Sequence, residues 1–150
     1  MSVRRLLPKV AADLAALRRP FALVGGIAVG VRAAPRFTAD VDVAVAVADD
    51  RDAEQLVFAL TQRGYRIFRA FQPKEGGRLL TIRLLPPASY ELELLVDLLF
   101  ATSGIEPEAV AQAELLEVFP GVRVPVARRE HLVAMKVLAH DEERRPQDRI

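Results

Sequence analysis

Phe21-Ala22-Leu23-Val24-Gly25-Gly26 and, a dozen residues later, Thr38-Ala39-Asp40-Val41-Asp42-Val43-Ala44-Val45-Ala46-Val47 form the stretch on which the fold of this chain turns. Four apolar residues predict a short buried strand, Gly25-Gly26 a turn, and Ile27, Ala28, Val29, Val31 and Arg32 a helix beginning near Ile27. Val41 to Val47 predicts a second strand, with small apolar residues on both faces and carboxylates only at its start. Glycine pairs mark ordinary turns in many proteins, and aspartates often cap or end a strand. A strand, a glycine turn and a pair of carboxylates in this order instead suggest nucleotide and metal chemistry.

Residues two apart on a strand project to the same side, so Asp40 and Asp42 are expected to point together, about 6 to 7 Å apart at their backbones. Such a pair brackets divalent ions. Magnesium takes hard oxygen ligands from one or two carboxylates plus substrate phosphates, and two ions about 3.5 to 4 Å apart clamp an in-line phosphoryl displacement. Asp97, inside the apolar run Tyr90 to Phe100, is the best candidate for a third carboxylate, because an unpaired charge there is costly without a metal or a partner. Glu93, on the same face, is its rival. Asp97 on a strand beside Asp42 would complete a metal site and accept a proton from an attacking hydroxyl. Gly25 and Gly26 would let the backbone approach a phosphate, with amide N–H groups and the positive end of the following helix facing the anion.

Outward from this stretch the elements mix. Val3, Leu7, Val10, Leu14 and Leu17 place an amphipathic helix over residues 3 to 18, ended by Arg19-Pro20. Asp49 and Asp50 cap a helix carrying Ala53, Leu56, Val57 and Leu60, which Gly64 closes. Tyr65 to Phe71 and Arg78 to Leu85 read as adjacent antiparallel strands joined by the loop Gln72 to Gly77. After Pro86-Pro87 the run Tyr90 to Phe100 is a strand with Leu92, Leu94, Val96 and Leu98 on one face and Glu91, Glu93, Leu95 and Asp97 on the other. Residues 106 to 114 suggest a short helix, Leu115 to Phe119 and Val122 to Val126 two strands around Pro120-Gly121, and Arg128 to His140 a final helix. Antiparallel hairpins among helices disfavour the repeated βαβ units of a Rossmann arrangement.

Composition narrows the function classes. The 150 residues suit one domain with a real core, and 51% hydrophobic with 27% charged residues excludes extended disorder. No apolar stretch approaches the length needed to span a bilayer, and no cysteine is present for thiolate sites, disulfides or cysteine nucleophiles. A cytoplasmic protein without membrane contact is expected. With 21 basic and 20 acidic residues no global field advertises nucleic acid, so such a partner needs a local patch. Arg4, Arg5, Lys9, Arg18 and Arg19, and Arg128, Arg129, Arg144, Arg145 and Arg149, are candidates, against the plainer reading of solvated helix faces. His131 and His140 lack a third ligand at a telling distance and read as surface helix residues. Arg36 would meet phosphate or pair with Asp40 or Asp42.

Gly25-Gly26, then Arg36, Thr38, Asp40 and Asp42, and later Val96-Asp97-Leu98, together resemble the nucleotidyltransferase fold of the DNA polymerase beta superfamily. Within it, the chain is most similar to small prokaryotic enzymes related to the abortive-infection toxins of the AbiEii type. The resemblance implies an α/β (α+β) fold with a mixed, largely antiparallel sheet flanked by helices. It also implies a magnesium-dependent transfer of a nucleoside monophosphate from an NTP to an acceptor hydroxyl. By that resemblance Gly25 and Gly26 cradle the triphosphate, with Arg36 and Thr38 beside the nucleotide, and Asp40 and Asp42 bind two magnesium ions. Asp97 binds one metal and activates the acceptor, and Lys136 contacts phosphates, the plainer reading being a solvated helix lysine.

The implied setting is a toxin-antitoxin or phage-defence system, with tRNA or a protein side chain as acceptor and a cognate antitoxin or helical protein as partner. A small-molecule acceptor such as an aminoglycoside, or a non-catalytic protein that keeps the fold, are the alternatives. The late segment of the family often reads Arg then Lys-Asp, whereas here Arg145 is followed by Pro146, Gln147 and Asp148, so the second basic contact is missing. Residues 1–150 are read as a single nucleotidyltransferase domain whose C-terminal helical part is short or truncated, leaving acceptor recognition to a partner or to further chain.

Overall fold

The computed structural model describes residues 3–32, 40–71, 81–87, 94–101 and 105–137. Helix α1 (Val3–Ala16) buries Leu6, Leu7, Val10 and Leu14, which recur at the three- and four-residue spacing of one helical face. It ends with Arg18 in the left-handed region (φ 58°). Arg18 N–H donates to Ala15 and Arg19 N–H to Leu14, which satisfies carbonyls left open at the helix end.

Strand β1 (Phe21–Val24) runs straight into helix α2 (Gly25–Arg32). The expected turn at Gly25-Gly26 is thus absorbed into the helix, with Gly25 at its first position and a positive φ of 70°. Strand β2 (Asp40–Ala46) begins one residue earlier than predicted, because Asp40 already pairs with Leu95 in the ladder. Helix α3 (Asp50–Gln62) is capped as the sequence suggested: Asp49 accepts a 2.8 Å hydrogen bond from the Asp52 amide. Gly64, at φ 101°, turns the chain into β3 (Arg66–Phe71). Strands β4 (Thr81–Leu85) and β5 (Leu95–Ala101), helix α4 (Ile105–Ala111), strands β6 (Glu114–Phe119) and β7 (Val122–Val126), and helix α5 (129–137) follow. The predicted Gln72 to Gly77 connection lies outside the described residues.

Among the described residues the strands form one sheet in the order β3-β4-β5-β2-β1-β7-β6. The β1/β2, β3/β4, β4/β5 and β6/β7 pairings are antiparallel, and β2/β5 and β1/β7 are parallel. This is the expected mixed, largely antiparallel sheet. Its two faces differ. One carries Val41, Val43, Val45, Val96, Leu98 and Leu84 against α1 and α3, and forms the main core. On the other, the short side chains Ala22 and Ala44 let α4 approach through Ala109, so the cover is thin. Both carboxylates of β2 point to that thinner side, because they alternate with Val41 and Val43 along the strand.

Candidate active site

The strand registers bring the polar groups into one row. Val24 of β1 stands opposite Asp42 of β2, Asp42 opposite Asp97 of β5, and Asp97 opposite Arg83 of β4. Partners across a ladder share a face, so Asp42, Asp97 and Arg83 all rise from the thinly covered side. Asp97 is only 7% exposed, and Arg83 holds it with a planar fork: Nε donates to Oδ1 at 2.7 Å and Nη2 to Oδ2 at 3.0 Å. Asp40 lies one pleat before Asp42 on the same face.

Negative charge accumulates in this row. Burial pushes the Asp42 carboxyl up to about 7, and the charge and hydrogen bond of Asp97 and the charge of Asp40 add to that, against partial relief from Arg83. Burial, then the Asp97 charge, also raises Asp40, with Arg83 again opposing. The three carboxylates therefore sense one another, and Asp42 and Asp97 meet. Among the described residues, however, no group of three or more His, Cys, Asp or Glu side chains is gathered closely enough to hold a metal ion. Both oxygens of Asp97 face Arg83, and Asp40 is offset along the strand.

Gly25 explains itself here. A β-carbon at that position would collide with the Asp42 carboxylate, lying 2.7 Å from Cγ, and the positive φ disfavours any other residue as well. The first residue of α2 is glycine because a carboxylate from the neighbouring strand fills the space a side chain would need.

Beside the carboxylates opens a cleft of about 610 Å³ bounded by Gly25, Gly26, Arg32, Asp42, Arg129 and Lys136, with an apolar wall that includes Val29, Leu99 and Met135. The structure thus gathers Gly25, Gly26, Asp42 and Lys136, widely separated in sequence, around one cavity, with Asp40 and Asp97 on the adjoining face. Arg36, Thr38, Glu93, His140, Arg144, Arg145 and Arg149 lie outside the described residues.

Two arginines escaped the sequence reading. Arg83 carries a signal in retrospect: it is the charged residue between Ile82 and Leu84 in a strand that buries both neighbours, so it shares the opposite face with any partner in register. Arg32 is fixed at the cleft by bonds to the carbonyls of Ala127 (2.9 Å) and Val126 (3.3 Å) and an ion pair with Glu114 (3.0 Å). Nothing in its local sequence announces those long-range contacts.

One expectation is overturned. His131 is not a surface residue but 6% exposed, with Nδ1 lacking a hydrogen-bond partner among the described residues. The chain enters α5 directly from the β1/β7 junction, where the Ala127 amide donates to the Leu23 carbonyl at 3.0 Å, and this carries the first turn of α5 inward. Three of the N-terminal basic candidates are engaged within the fold rather than on a solvated helix face. Lys9 pairs with Asp13, Arg19 with Asp52, and Arg4 lies over the Phe119 ring.

Solved structures of nucleotidyltransferases share this fold. A Thermotoga maritima protein assigned to the nucleotidyltransferases superposes with a TM-score of 0.65 at 12% identity, over 98% of this chain and 90% of that one. ANT(2")-Ia in complex with adenylyl-2"-tobramycin gives 0.59 at 19% identity, over 92% and 76%. The lincomycin-bound lincosamide adenylyltransferase LnuA gives 0.54 at 14%, over 85% and 82%. At such identities the likeness establishes the fold.

The family follows from the sequence itself: residues 9–150 match the family described as nucleotidyl transferase AbiEii toxin, type IV toxin-antitoxin system, and the chain belongs to it. It is accordingly an enzyme of the nucleotidyl-transferring class. A comparison with curated proteins finds no match. No helix among the described residues is long and apolar enough to cross a membrane.

Proposed function

We propose that the protein transfers a nucleoside monophosphate from an NTP to the hydroxyl of a tRNA or protein acceptor, in a magnesium-dependent reaction of a toxin-antitoxin system. The observation that carries this reading is the carboxylate row: the strand register sets Asp42 opposite Asp97 with Asp40 one pleat away on the same face, and burial with the neighbouring aspartates pushes the Asp42 carboxyl up to about 7. Such a donor set fits a divalent cation: hard carboxylate oxygens on one face of the sheet, beside a cleft that a nucleotide can enter.

Asp40, Asp42 and Asp97 are the residues that would hold two magnesium ions. Bound there, the ions would neutralise charge on the phosphates and on the attacking and leaving oxygens. The residues of the chain divide the remaining work. Gly25 and Gly26, at the start of α2, offer amide N–H groups and the positive helix end to the triphosphate. Lys136 supplies a cation across the same cleft. Arg36 and Thr38 complete the nucleotide contacts. Asp97 takes the proton as the acceptor hydroxyl oxygen bonds to the α-phosphorus and the bond to pyrophosphate breaks. The setting we infer is cytoplasmic, with a cognate antitoxin or helical partner supplying part of acceptor recognition to this single domain.

Incubation with each labelled NTP, magnesium and either bulk tRNA, cell lysate or an aminoglycoside tests this. Label in tRNA or protein supports the reading, and label in the aminoglycoside alone replaces the acceptor. A chain that transfers nothing under any condition and binds no NTP with metal is a non-catalytic member of the fold, and the proposal fails.

A further inference from the structure

We propose that Arg83 is an exchangeable counter-cation of the carboxylate row, so that loading a divalent ion at Asp97 replaces one cation by another instead of adding to an open site. This rests on the metal reading above, and its test separates the two. Asp97 is 7% exposed, and a carboxylate so placed needs a partner. Arg83 supplies it through two hydrogen bonds of 2.7 and 3.0 Å that engage both oxygens, the same atoms a metal ion would take.

The backbone beneath Arg83 is fixed, since β4 is laddered to β3 on one side and β5 on the other. Only the side chain is placed to yield. Its side chain is 30% accessible, against 10% for Asp97, so it reaches solvent more readily than the carboxylate does. With Arg83 in place both Asp97 oxygens are already engaged from β4, so an ion arriving at Asp97 meets a guanidinium that holds the same atoms. The pair gives the buried Asp97 carboxylate a partner in the metal-free protein, and it makes Arg83 a positioning residue.

Calorimetric titration of the full chain with Mn²⁺, without nucleotide, reads the competition. Arg83→Gln should bind the ion about tenfold tighter than the unaltered protein, the scale of removing one charge-assisted competitor. The thermal midpoint of the variant should be lower without metal and rise by a larger increment when metal is added.

A second measurement needs no altered fold. The ¹⁵Nε resonance of Arg83, identified by its loss in Arg83→Lys, should shift as Mg²⁺ is added to the unaltered chain. Ion binding by the unaltered chain that is unchanged or weaker in Arg83→Gln, or an Arg83 resonance indifferent to Mg²⁺, overturns the exchange while leaving the metal reading intact. No ion binding by the unaltered chain overturns both.

Discussion

Asp13 and Asp42 are carboxylates on opposite faces of one sheet, both withdrawn from water, and their protonation is driven in opposite directions. Asp13, in α1 on the core side, is 5% exposed and surrounded by donors: Lys9 at 2.8 Å, the Tyr65 hydroxyl at 2.7 Å and Arg63 at 3.1 Å. Burial works to raise its pKa, but hydrogen bonds from Lys9 and Tyr65, the Lys9 charge and Arg63 outweigh it, and the carboxyl ionises below its ordinary range. Asp42 is half-buried and faces other carboxylates, and it is raised to about 7. Burial alone therefore says little about what a carboxylate does. A carboxylate ringed by donors ties α1 to the end of α3, whereas one set among other carboxylates is pushed toward its protonated form.

The contrast breaks most visibly at Asp42. Asp42→Asn should cut nucleotidyl transfer by about 10³-fold or more, the scale of losing a preorganised charged group, while raising the thermal midpoint of the metal-free protein above pH 7. A variant that keeps its activity, or melts lower, would show that Asp42 is a structural carboxylate like Asp13.

The reverse outcome is expected at Asp13. Asp13→Ala strands three donors and should cost about 3 kcal/mol in denaturant unfolding, with magnesium binding unchanged. Loss of metal affinity there would collapse the distinction between the two faces.

Gly25→Ala probes how tightly Asp42 is boxed in. The added methyl group meets the Asp42 carboxylate and needs a positive φ, so a loss of about 2 kcal/mol is expected, together with weaker metal binding. Unaltered metal binding would mean that Asp42 has room to move aside.

Acidity sharpens the comparison with the smallest effect. Because folding raises the Asp42 pKa, the folded chain holds a proton that the unfolded chain has lost between about pH 4 and 7. Its contribution to stability therefore falls as pH rises through that window. Asp13 has the opposite sign: its contribution is present above the ordinary carboxylate range and is lost as pH falls below it. Asp52, lowered to about 2 by its Arg19 fork, behaves like Asp13. Thermal midpoints from pH 4 to 8 without metal should fall more steeply in the unaltered protein than in Asp42→Asn, and equal slopes would remove the assigned shift.

Much of this was legible locally. Strand alternation placed Asp40 and Asp42 on one face, the Asp49 cap fixed the start of α3, and the Val96-Asp97-Leu98 triplet exposed a carboxylate between buried neighbours. The helix over 128 to 140 put Lys136 at the right distance along the chain, but its meeting with Gly25 across a cleft depends on α5 packing beside α2. His131 was misread because helical periodicity does not say which turn of a helix the preceding strand drives inward.

The sequence by itself determined the elements, the alternation that separates carboxylates from valines, and the family, because these depend on short-range periodicity and on residue types in order. Only the tertiary structure decided that β5 lies beside β2, which sets Asp97 opposite Asp42, and that β4 lies beyond it, which brings in Arg83. Strand order and register are properties of the whole sheet, chosen by which faces can be buried together, and no local pattern contains them. The carboxylate row, its excess of negative charge and the arginine that holds one end of it follow from that choice.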